Sequence, residues 1–180
     1  MSTRFIRSFA GVCMLAVLLP VGDRAEAARP PVREHRKLNA FDQGVVERVR
    51  ARAAARLDNA ECRTLLSEFK DRHGRTLAEN LEPFGVSASR YLLDLSFVDG
   101  SPLPACHSPA VTMAVHPGMP RVFVCPLGPG RTNSKLSRIE FNSGSLAEAM
   151  VIHEMLHTLG LGENPPTTFE ITARVREMCR

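Results

Sequence analysis

Ser145-Leu146-Ala147-Glu148-Ala149-Met150-Val151-Ile152-His153-Glu154-Met155-Leu156-His157-Thr158-Leu159-Gly160 is the stretch on which the reading of this chain turns. Ser145 and Glu148 have the spacing of a capping box, with Ser145 as N-cap and Glu148 at the third helical position. Leu146, Ala149, Met150, His153, His157 and Gly160 then recur at three- and four-residue steps, so one helical face carries packing residues followed by both imidazoles. Gly160 ends the helix, because glycine enters the left-handed conformation without steric cost. Residues i and i+4 stand one above the other, so His153 and His157 can reach a single ion. Glu154 is rotated by about 100° from His153, near that ion but badly placed to bind it. It can instead serve as general base, taking a proton from a water whose pKa zinc lowers to about 7 and delivering it to a leaving amine.

His153-Glu154-x-x-His157-x-x-Gly160-x-x-Glu163 resembles the zincin metallopeptidase signature in its metzincin form, with glutamate where a third histidine usually stands. The run from His153 to Pro166 is also similar to that of small secreted bacterial zincin-like proteins. The resemblance implies a zinc-dependent peptide-bond hydrolase, with His153, His157 and Glu163 holding Zn2+ and Glu154 as the catalytic base. Metzincins carry a methionine turn beneath the metal. The only methionine after Glu163 is Met178, so the resemblance reaches the broader zincin group. Another zincin branch takes its glutamate from the helix following the motif, which keeps Glu170 as a second candidate ligand. Thr167-Thr168-Phe169-Glu170 is itself a capping box behind Pro165-Pro166. The glycines before Glu163 can aim it back toward the histidines, and Glu163 is the preferred ligand.

The N-terminus sets the compartment. Arg4 and Arg7 precede an apolar stretch from Phe9 to Val21, and Ala25-Glu26-Ala27 offers the small residues a signal peptidase reads. That stretch is too short for a membrane span. The organisation expected is a signal peptide over 1–27, a flexible basic segment over 28–40 and one zincin-like domain over 41–180. The protein is then secreted or periplasmic, a monomer without a membrane anchor once the signal is cleaved.

Removing residues 1–27 takes away three Lys/Arg and two Asp/Glu, which leaves 20 basic against 17 acidic side chains and a net charge of +3. Such a balance does not make a nucleic-acid grip. With no Trp and one Tyr the chain also lacks stacking platforms for single strands, so no nucleic-acid partner is expected. Arg48, Arg50, Arg52 and Arg56 read as a solvated helix face. Cys62, Cys106, Cys125 and Cys179 remain, an even number in an exported chain, which favours two disulfides. Three pairings are possible; the most local ties Cys106 to Cys125 across an apparent hairpin and leaves Cys62 for Cys179.

That hairpin runs from Val111 to His116 and from Arg121 to Cys125, turning at Pro117-Gly118-Met119-Pro120. Phe41 to Leu57 and Ala60 to Phe69 read as helices, and Tyr91 to Val98 as a strand alternating Tyr91, Leu93, Leu95 and Phe97 against the intervening residues. Gly128 to Ser143 reads as a loop with a short strand around Ile139 to Phe141. The fold class expected is α+β, a minimal zincin-like domain with a small sheet, an active-site helix, a closing C-terminal helix and two disulfides. In the zincins that the chain resembles, an extended peptide lies along an edge strand beside the metal helix. Here the hairpin is the candidate, with His116, His107, Arg121 and Tyr91 as candidates to polarise the scissile carbonyl.

Three functions fit these observations. The first is a secreted zinc metallopeptidase acting on a peptide or protein. The second is a non-catalytic exported module of zincin fold that binds metal or a protein partner. The third is an envelope enzyme acting on cell-wall peptide crosslinks. An intact Glu154 favours catalysis, since a purely structural zinc has no use for a base and usually takes a fourth protein ligand.

Overall fold

The computed structural model describes residues 36–128 and 133–180; the expected signal segment 1–27 lies outside them, as does most of the basic segment 28–40. The described residues form a mixed helix-and-sheet architecture built around one central helix. Helix α1 (Ala40–Leu57) is opened by Asn39, whose side chain accepts the Asp42 amide at 3.0 Å. Its inner stripe, Val45, Val46, Val49, Ala53, Ala54 and Leu57, is buried. The small alanines let neighbouring helices approach closely. Short helices α2 (Ala60–Arg63) and α3 (Leu65–Glu68) follow. One helix was expected here; it breaks at Thr64, whose hydroxyl donates to the Glu61 carbonyl at 2.6 Å.

Beyond α4 (Leu77–Leu81) the structure departs from the expected strand over Tyr91–Val98. Residues Ala88–Asp94 are helix α5, capped by Ser87 and braced by an Arg90–Asp94 pair at 2.9 Å, and only Ser96–Asp99 is strand, β1. The apolar residues here satisfy two periods. Tyr91, Leu92 and Leu95 are buried while Leu93 is exposed, so the helical period prevails until Leu95. The hairpin forms as expected from β2 (Met113–Val115) and β3 (Arg121–Val124). The sheet order is β1-β3-β2, with β1 parallel and β2 antiparallel to β3. Among the described residues β3 is therefore central, and of the two hairpin strands β2 is the one at a sheet edge.

The expected loop before the helix of His153 and His157 is a second departure. Lys135–Asn142 is helix α6, capped by Ser134, with Leu136 buried and Ile139 packed against the core in place of the expected short strand. Lys135 Nζ donates to the carbonyls of Cys106, Ser108 and Val111, which fastens the segment leading into β2. Helix α7 (Gly144–Thr158) is capped by Ser143, two residues before the expected Ser145. Glu148 is thereby released from capping. It lies 5% exposed and accepts from Arg52 Nε at 2.6 Å and Arg56 Nε at 2.5 Å, while Glu140 accepts from Arg48 and Arg52. Arg48 and Arg52 of α1 are exposed as expected, yet with Arg56 they also form an ion-pair seam to α6 and α7, while Arg50 donates to the Leu95 carbonyl.

From Ala147 to Thr158 every residue of α7 except Met150 is buried, which marks it as the central helix, packed against α1, α6, the sheet and the closing helix α8 (Thr168–Met178). Ile171 and Val175 anchor α8 in the core. Both expected disulfides form: Cys62–Cys179 joins α2 to the end of α8, and Cys106–Cys125 ties the approach to β2 to the end of β3. These bonds point to an oxidising, exported environment. Among the described residues no helix is long and apolar enough to cross a membrane.

Candidate metal centre

The end of α7 is built to turn back on itself. Gly160 sits at φ +103°, Leu161 N–H donates to the Leu156 carbonyl at 3.2 Å and Gly160 N–H to His157 O at 2.9 Å, which together make a Schellman turn. Two further groups hold it. The hairpin turn donates Gly118 N–H to His157 O at 3.1 Å, and Asn80 Nδ2 donates to Leu159 O at 2.9 Å.

That turn brings the three expected ligands together. His153 Nε2 and His157 Nε2 are 2.9 Å apart, and Glu163 Oε1 lies 3.3 Å from His157 Nε2 and 3.9 Å from His153 Nε2. The three donor atoms lie within 4.8 Å of one another, a group that could hold a metal ion. The outer nitrogens support this fit. His157 Nδ1 donates to the Leu161 carbonyl at 2.7 Å, which can only accept, so the proton of the neutral tautomer belongs on Nδ1 and the Nε2 lone pair is the one that faces inward. His153 Nδ1 lies 2.9 Å from Thr172 Oγ1, a hydroxyl that can accept the Nδ1 proton and leave Nε2 free for a ligand bond. Thr168 Oγ1 donates to Glu163 Oε1 at 2.6 Å. Two imidazole nitrogens and a carboxylate oxygen facing one space are a donor set that a metal ion could occupy.

Burial, followed by the charge on His157, pushes the His153 imidazole down to about 4, partly offset by Glu163. The ring is therefore neutral at ordinary pH, as ligation requires. Burial also pushes the Glu154 carboxyl up to about 8, helped by the Glu163 charge. Both values belong to the metal-free state; a nearby divalent charge draws a carboxyl pKa back down. Glu170 stands apart. Its carboxylate accepts Thr167 N–H at 2.7 Å in the α8 capping box, which holds it below the usual range. It is exposed and is not one of the three converging groups.

His153, His157 and Glu163 form the polar floor of a groove of about 860 Å3, walled by Val111–Val115, Met150, Leu161 and Phe169. Glu154 lines it too, in α7 but outside the converging group of three. None of the four side chains expected to polarise a carbonyl lines this groove. Tyr91 is buried in the core with its hydroxyl donating to Thr158 Oγ1 at 3.2 Å. His116 is exposed and stacks edgewise on Phe123, His107 sits exposed in the 3-10 turn Pro104–His107, and Arg121 belongs to the central strand β3. Sequence reasoning missed Thr168 and Thr172. Their only trace in the sequence is the four-residue spacing on the helix after Glu163, and docking of α8 is needed to give it meaning. No family model, curated protein or solved structure matches the chain.

Proposed function

We propose that this protein is a secreted zinc-dependent metallopeptidase of zincin type. The observation that carries the reading is the convergence of His153 Nε2, His157 Nε2 and Glu163 Oε1 on the floor of a groove that Glu154 also lines. Zinc, when bound there, supplies a Lewis acid that makes water a nucleophile near neutral pH. Glu154 takes up the water's proton on its carboxylate and returns it to the departing amine. The β2 edge offers main-chain groups to an extended peptide, and the apolar wall excludes water around it.

One observation favours the second reading, an exported module of the same fold without turnover: no cation or phenol lines the groove among the described residues to steady a developing oxyanion. A peptide library separates the two. Purified protein should carry one zinc per chain, His153→Ala or His157→Ala should abolish tight binding, and Glu154→Gln should keep zinc while turnover falls by orders of magnitude. Zinc-loaded wild type that cleaves no peptide would leave the binding module standing; stoichiometric zinc on the double alanine variant would remove the site.

A further inference from the structure

The two threonines of α8 stand in an arrangement that the proposed chemistry does not itself require. Thr168 and Thr172 are separated by one helical turn and so share a face. Thr168 Oγ1 donates at 2.6 Å to Glu163 Oε1, the oxygen closest to both imidazoles, and Thr172 Oγ1 lies 2.9 Å from His153 Nδ1. One face of one helix thus touches two of the three candidate ligands from behind. The third, His157, is oriented by the Leu161 carbonyl within its own turn. Ile171 and Val175, both fully buried, seat the same helix in the core. Its far end is tied by Cys62–Cys179, and Arg174 forks onto Glu68 of α3 at 2.8 to 3.0 Å. The position of α8 is therefore determined independently of any ligand, and both threonine hydroxyls are held in place before an ion arrives.

We infer that Thr168 and Thr172 are positioning residues that set the metal affinity of the His153-His157-Glu163 site, acting as a two-point brace delivered by α8. The inference rests on the metal-site reading above. Thr172 accepts the Nδ1 proton of His153, which keeps that ring in the tautomer whose Nε2 lone pair points inward. Thr168 fixes the carboxylate of Glu163, a side chain 43% exposed whose rotamers are otherwise open to water. A hydroxyl suits both tasks because it accepts at one residue and donates at the other.

The test is a zinc titration of metal-free full-length protein against a chromogenic chelator, with cobalt absorption as a second readout. Thr172→Val and Thr168→Val keep shape and β-branching while removing the hydroxyl. Each should weaken zinc binding about 10- to 100-fold and alter the cobalt ligand-field bands. Thr172→Ser and Thr168→Ser should bind as wild type does. Glu170→Ala, which breaks the capping box of α8 without touching the triad, should lower the unfolding midpoint of the metal-free protein and leave zinc affinity unchanged. Valine variants that bind like wild type overturn the brace alone. Weakening by Glu170→Ala equal to that by the valines reduces it to helix stability and overturns it as well. Wild type that binds no zinc overturns the brace together with the metal site on which it stands.

Discussion

Metal-free protein should lose stability as the pH rises from 6.5 to 8, and Glu154 should account for the loss. Burial, and then the Glu163 charge, raise its carboxyl from 4.5 to about 8 on folding. A raised folded-state pKa means that folding takes up a proton, so this stabilisation is complete below pH 4.5 and is lost as the pH climbs through about 8. His153 runs the opposite way. Its pKa falls from 6.5 to about 4, so its contribution is present above 6.5 and lost as the pH drops through 4. Below pH 6.5 the two oppose each other; above it the imidazole becomes neutral in both states and Glu154 sets the slope. Each pKa unit corresponds to about 1.4 kcal/mol, and tapering near the folded pKa leaves a net fall of about 1 to 2 kcal/mol across the window. Urea unfolding in the presence of a chelator, at half-unit steps of pH, measures this directly for wild type and for Glu154→Gln. The glutamine variant cannot titrate and should lack the fall. A wild-type profile that is flat or rises, or a glutamine profile with the same fall, refutes the reasoning.

Gly160→Ala forces a Cβ into a residue at φ +103° and within 3.4 Å of Asn80 Nδ2 and Asp71 Cβ. It should destabilise by about 1 to 3 kcal/mol in denaturant titration and weaken zinc binding, because the same turn orients His157. Glu148→Ala leaves Arg52 and Arg56 without their shared carboxylate on α7. Both arginines are partly exposed, so the cost should fall below the roughly 3 to 5 kcal/mol of a fully buried pair, near 2, and thermal unfolding checks it. Replacing Cys62 and Cys179 by serine opens a loop of sequence separation 117 and should cost about 2 to 5 kcal/mol, seen as a lower denaturation midpoint in oxidising buffer.

The parts of the architecture that are legible in the sequence are those written in short-range spacing. Helix α7, the glycine turn, the hairpin and the α8 capping box each depend on residues within a few positions of one another. The convergence of Glu163 on His153 and His157 follows from the same local turn. Other features depend on distant partners. Residues 88–95 carry apolar side chains compatible with both strand and helix, and burial of Tyr91, Leu92 and Leu95 against exposure of Leu93 decides between them. The arginines of α1 look solvated until α6 and α7 bring Glu140 and Glu148 beside them. His116, Arg121 and Tyr91 are ordinary candidates by residue type, but strand order and the packing of α5 send them elsewhere. The parallel pairing of β1 with β3 joins segments more than twenty residues apart, a relation no local pattern announces.

The Cys62–Cys179 bond encloses the sheet, α7 and Glu163 within one covalent ring, and Cys106–Cys125 closes a smaller ring inside it. A single cut in the backbone anywhere between the two outer cysteines opens the ring but releases no fragment. The exposed hairpin tip around Gly118 and Met119 lies within both rings, so a break there leaves the flanking strands doubly tethered. Held at high local concentration, the two new ends have no route to separate while the bonds persist. Nicked molecules should run as one species without reductant and as two with it, and damage that would dismantle an unlinked chain of this size is here retained within a single molecule.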